Sequence, residues 1–179
     1  MQSKFSTLDL CYCALFAVLM AVGAWIHIPG PVPFTLQTFS VFAALLMLGG
    51  RRGTVAILVY LLLGAVGLPV FAGFQGGLGA LLGPTGGYIL GFLALGLLYT
   101  LVTAKLGNTL WPSLLGSMVG MAACYAFGTA WFVLLYSAQT GPMTFSAALG
   151  ICVLPFLPLD VLKLALAVIL SSRVRPHLK

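Results

Sequence analysis

The sequence predicts an all-α, polytopic membrane fold, and three observations carry the prediction. Hydrophobic residues make up 61% of the chain and charged residues only 6%, far from the roughly one quarter charged of soluble domains. Apolar runs long enough to cross a bilayer recur along the chain. The basic residues fall in the breaks between those runs instead of forming a stripe, so a net charge of +6 reads as a topology signal and excludes a nucleic-acid partner. The four cysteines, Cys11, Cys13, Cys124 and Cys152, lie in apolar segments without metal-site spacing, so neither metal nor cofactor is expected. The 179 residues read as one membrane domain with no removable leader.

The first span covers residues 8–28, apolar and almost free of helix breakers. Cys13, Ala17 and Ala21 recur in it every four residues, a small-residue face that serves either internal packing or the docking of a partner. Trp25 and His27 suit the membrane interface at its end. Three prolines and a glycine in residues 29–33 force a turn. Span two follows over residues 34–48, and Thr35, Gln37 and Thr38 in its first turn either cap backbone donors or face a ligand. Gly49 to Gly53, with Arg51 and Arg52, make a tight basic turn before span three at residues 54–68.

Residues 69–83, PVFAGFQGGLGALLG, are too glycine-rich for a continuous helix and too apolar for a solvated linker. Irregular backbone at membrane depth is tolerated where it is buried in protein or lines a cavity, so this loop reads either as a lid over a pocket or as an interfacial loop without ligand contact. The loop centres on Gln75, and on the lid reading Gly73, Phe74, Gly76 and Gly77 belong to the lid. GPTGGY at residues 83–88 opens span four, which ends near Lys105; span five runs over residues 110–136; SAQTGP then leads through residues 143–154 into the last helix.

That last stretch, PFLPLDVLKLALAVILS at residues 155–171, holds the strongest functional signal. Asp and Lys each cost about 2.5–3.5 kcal/mol at the centre of a membrane helix, so Asp160 and Lys163 mark either a ligand site or a mutually neutralised pair that fixes packing. Three residues apart, they share a helix face. Pro158 fits the start of the helix, which puts Asp160 in the first turn. With six spans and a cytoplasmic N-terminus, Lys4, Arg51, Arg52, Lys105, Arg173, Arg175 and Lys179 all fall inside, so both termini are expected in the cytoplasm and Asp160, Gln75 and Thr35 toward the outer face.

GPVPFTLQTF at residues 30–39, the loop leading to GPTGGY, and LPLDVLK at residues 157–163 together resemble the biotin-specific S component, the BioY family, of energy-coupling-factor transporters. The resemblance spans the whole chain and implies a six-helix subunit of the plasma membrane, with both termini cytoplasmic, that captures biotin. It also implies a membrane coupling subunit and two cytoplasmic ATPases as partners. On the same grounds Asp160 and Lys163 match the ligand's polar pair, the loop around Gln75 the lid, and the face of Cys13, Ala17 and Ala21 the coupling surface. Tyr88 and Trp25 are then expected to give ring contacts; acceptor-only Asp160 suits the ureido N–H groups, and donor-only Lys163 suits either the carboxylate, the preferred assignment, or the ureido oxygen.

No GxxxxGK[ST] motif occurs, so ATP dependence must come from partners. An enzyme would need a nucleophile with a base, a metal cluster or a carboxylate pair. Asp9 and Asp160 fall near opposite faces, as do His27 and His177, which leaves no such constellation. The alternative is a stand-alone, proton-coupled secondary transporter of biotin or another small vitamin, with Asp160 as proton carrier and the loop as gate.

Overall fold

The computed structural model describes residues 5–30, 32–139 and 141–175. Lys4, Pro31, Thr140, His177 and Lys179, on which parts of the reading above rest, lie outside the described residues. Helix α1 (Thr7–Trp25) opens with a capping box in which the Asp9 amide donates to Ser6 Oγ at 3.1 Å and the Ser6 amide donates to Asp9 Oδ2 at 2.9 Å. The other carboxylate oxygen of Asp9 meets Arg52 Nε at 2.8 Å. The helix stops at Trp25, three residues before the expected end of span one, because His27–Ile28 (β1) is extended and pairs antiparallel with Phe34–Thr35 (β2). This small ribbon carries the proline-rich turn, whose prolines have no N–H to donate to a helix.

Helix α2 (Gln37–Leu48) is therefore shorter than the expected span two. Every residue from Val41 to Leu48 is buried, so α2 is the central post of the bundle and needs no lipid-facing stripe. Helix α3 (Gly50–Ala65) begins four residues earlier than expected and includes Arg51 and Arg52; Gly49, at φ +82°, makes the turn alone. Gly50 and Gly53 in its first turn let neighbouring helices of the same chain come close. A Cβ on Gly50 would lie 2.7 Å from Thr100 Cα, and one on Gly53 2.8 Å from Leu45 Cα.

The loop after α3 contains a 3-10 turn at Ala72–Phe74 and the single-turn helix α4 (Leu78–Leu81). Helices α5 (Gly86–Leu106) and α6 (Leu110–Gln139) form the most extensive pair in the fold, followed by α7 (Phe145–Cys152) and α8 (Leu157–Val174), bent by 50° from α7. Helix α8 packs on α2, and α1 on both α2 and α3.

Among the described residues, α1, α5 and α6 are long and apolar enough to cross a membrane, and the bent pair of α7 and α8 makes a fourth if it is counted as one span. Six spans were expected, the second and third of them short for a bilayer. The difference lies in α2, which at 12 residues rises only about 18 Å, and in α3, which has two arginines in its first turn.

Candidate functional site

The site forms where α8 meets the start of α2. Pro158 sits in the first turn of α8, and the Asp160 amide already makes a helical bond to Phe156 O at 2.8 Å, so the carboxylate projects from the first turn. Opposite it, β2 ends at Thr35, whose Oγ1 accepts from the Gln37 amide at 3.3 Å and so turns the chain into α2. The Thr35 carbonyl is thereby aimed at Lys163 Nζ, 2.7 Å away.

Asp160 and Lys163 are each 5% exposed and pair at 2.8 Å through Asp160 Oδ1. Thr38 closes a triangle, its hydroxyl donating to Asp160 Oδ1 at 2.8 Å and accepting from Lys163 Nζ at 2.9 Å. Tyr125 of α6 donates its hydroxyl to Asp160 Oδ2, and the ammonium stands 4.0 Å from the centre of the Phe34 ring. An ammonium has three N–H donors, and those of Lys163 meet Thr35 O, Thr38 Oγ1 and Asp160 Oδ1. All three are engaged with protein atoms, so a ligand carboxylate could reach Lys163 only by displacing one of them. Asp160 is different: a carboxylate has about four acceptor sites. Two on Oδ1 and one on Oδ2 are filled, so Oδ2 keeps one for an incoming N–H.

These groups close one end of a cavity of about 330 Å³, within the roughly 300–1,000 Å³ range of small-molecule pockets. Its sides come from α5 and α6 through Tyr88, Ile89, Phe92, Met121 and Cys124. The Tyr88 hydroxyl is tied to Thr129 Oγ1 at 2.9 Å, which holds the ring against the wall. The loop closes the other end. Its Phe71 amide donates to Gln75 O at 2.9 Å, and the hairpin between them turns through Gly73 at φ +68° and Phe74 at φ +56°.

Asp160, Lys163, Thr35, Gln75, Tyr88 and Gly73 thus line one cavity, as a single site requires. Trp25, expected to contact the ligand, is not in that lining. Its indole N–H donates to Pro69 O at 2.8 Å and its ring stacks on Phe74 at 5.2 Å, so the two rings clasp the loop from outside. Gly76 and Gly77 also lie behind the wall, where a Cβ on Gly76 would stand 2.2 Å from Leu68 O and the Gly77 amide donates to Gly64 O at 2.7 Å.

Cys13, Ala17 and Ala21, the proposed docking face, are 1%, 0% and 4% exposed within this chain. They are where α1 packs on its neighbours; Cys13 Sγ donates to Arg52 O at 3.3 Å. The small side chains serve internal approach, and the surface of α1 open to lipid or partners carries Leu10, Leu15, Val18 and Val22 instead.

Sequence reasoning missed Tyr125, Phe34 and Cys124, and it left Gln37 and Thr38 undecided between capping and binding. Tyr125 had a signal: it precedes Thr129 by four residues, a polar pair on one face of an otherwise apolar helix.

Comparison with known proteins places these features in a family. The profile of the BioY family matches residues 1–179. A biotin transporter BioY of Thermotoga maritima is 41% identical over 168 residues, 93% of this chain and 95% of the relative. A probable biotin transporter BioY of Pyrococcus horikoshii is likewise 41% identical over 168 residues, covering 93% and 96%. Among solved structures, the S component for biotin from an ECF-type ABC transporter superposes with a TM-score of 0.82 at 26% identity, covering 97% of this chain and 95% of that one.

Proposed function

Because the chain belongs to the BioY family, we infer that it takes up biotin as the S component of an energy-coupling-factor transporter, and that the cavity between α8 and the loop is where biotin sits. The observation that carries the site is the carboxylate of Asp160, buried at one end of a cavity with three of its acceptor positions filled and one still open. A cyclic urea offers N–H donors, and an ionised carboxylate accepts them strongly when water is excluded. The apolar walls suit the ring sulfur and the aliphatic chain. The carboxylate of biotin then lies toward the loop, where the Gln75 amide, the Thr85 hydroxyl and the His27 ring are polar groups in the lining. Lys163 serves Asp160, pairing with its carboxylate and orienting it in a buried position.

On this reading the chain binds biotin alone but does not pump it: a membrane coupling subunit and two cytoplasmic ATPases supply the work. It lies in the cell membrane with both termini in the cytoplasm. The basic residues of the α3 start, Arg51 and Arg52, share a separate cavity with Asp9 and Asn108, none of which borders the biotin cavity, in keeping with that orientation. Uptake of labelled biotin in cells expressing the chain with and without the coupling module tests the division of labour. Accumulation against a gradient without the module would instead support a self-sufficient transporter.

A further inference from the structure

The Gln37 side chain is 4% exposed and lines the cavity, yet its amide is only half engaged. Gln37 Nε2 lies 2.9 Å from the Tyr60 hydroxyl, and that hydroxyl lies 3.1 Å from Val70 O. The proton count fixes the direction of this chain. A carbonyl can only accept, so the single proton of Tyr60 goes to Val70 O, and Tyr60 must accept from Gln37. Tyr60 is fully buried, so no solvent offers an alternative. The amide nitrogen is thereby held toward Tyr60, and the amide oxygen, Oε1, which accepts from no group among the described residues, is left to the cavity.

Gln37 and Asp160 line the same cavity, and Thr38, the residue after Gln37, donates to Asp160. Resting on the reading that biotin fills this cavity, we propose that Gln37 Oε1 is the acceptor for the second ureido N–H of biotin, with Asp160 Oδ2 taking the first, and that Tyr60 is the positioning residue that keeps an acceptor there. The pair makes the closed end selective for ligands with two adjacent N–H donors. A ring that presents an oxygen at the second position meets Oε1 lone pair to lone pair. Tyr60 also holds Val70 O while Trp25 holds the adjacent Pro69 O, so the group that orients the recognition amide also anchors the root of the lid.

Titrating biotin and its two cyclic-carbamate analogues, each with one ureido N–H replaced by oxygen, into the purified chain tests the proposal. The parent should bind both carbamates at least about tenfold more weakly than biotin, the loss of one buried hydrogen bond or somewhat more. Gln37→Met keeps the volume and leaves Tyr60 bonded to Val70. It should weaken biotin about three- to tenfold and bring one carbamate, and one only, to within about threefold of biotin. In Tyr60→Phe the amide is free to turn its N–H inward, and discrimination against that same carbamate should shrink although Gln37 is intact. A parent indifferent to either carbamate overturns the proposal without any variant, and so does a Gln37→Met that keeps the full preference of the parent. Failure of the parent to bind biotin at all would instead overturn the assignment of the cavity, and the first titration separates the two.

Discussion

Replacing Lys163 by Met removes a buried ammonium while roughly preserving the length of the side chain, and the structure states what is left behind. Asp160, 5% exposed, keeps only Thr38 and Tyr125 as donors, and Thr35 O loses its partner. At the observed 2.8 Å and an effective dielectric of about 20, the direct attraction lost is about 6 kcal/mol. Because desolvating the ammonium already offsets part of it, the net cost of breaking such a pair is about 3–5 kcal/mol. Lys163→Met should therefore melt well below the parent in detergent. Adding Asp160→Asn should recover much of the loss, since the uncompensated charge is gone. Biotin should still bind more tightly than biotin amide, with the ratio within about threefold of the parent's, because the three donors of Lys163 meet protein atoms. Thermal melts of the single and double variants, beside calorimetry with acid and amide, read both effects. A Lys163→Met variant that melts like the parent and no longer separates acid from amide would refute the reasoning and make Lys163 the carboxylate ligand.

Three further outcomes follow from the same geometry. Gly64→Ala places a Cβ 2.0 Å from Phe71 Cζ, so it should destabilise the chain by about 1–3 kcal/mol, with recovery when Phe71→Leu is added. Trp25→Ala removes the Phe74 stack and the bond to Pro69 O, interactions worth together about 1–3 kcal/mol; chase experiments should show biotin leaving about tenfold faster or more, with association changed less than twofold. Single cysteines introduced at positions 51 and 75 should react with a membrane-impermeant reagent from opposite sides, and labelling from the same side would contradict the orientation proposed above.

The closed end of the cavity was legible in the sequence for a physical reason. Two ionisable groups three residues apart in an apolar helix are costly unless they face each other and something polar, so Asp160 and Lys163 announced themselves. The direction of their bonds was not legible. Whether Lys163 keeps a donor free depends on Thr35 O and Thr38, which only the β1–β2 ribbon brings within reach, and a two-residue strand gives no periodic signal. Small residues were equally ambiguous. Cys13, Ala17 and Ala21 permit close approach whether the neighbour is α3 of the same chain or a partner, and periodicity cannot tell these apart. Trp25 was read as a ring contact on the family resemblance, whereas its N–H meets the carbonyl of Pro69. Span length was hardest to read at α2, because a helix buried on all sides is as apolar as a membrane span while only 12 residues long.

The most direct measurement is a calorimetric titration of biotin into the chain purified alone in detergent, run in parallel on Asp160→Asn with a melt confirming that the variant is folded. The parent should saturate at about one biotin per chain. A hydrogen bond to a buried charged group is worth about 1.5–3 kcal/mol, so folded Asp160→Asn should bind about ten- to a hundredfold more weakly. If the folded variant binds biotin as the parent does, Asp160 does not hold the ligand and the cavity at the start of α8 is not the biotin site.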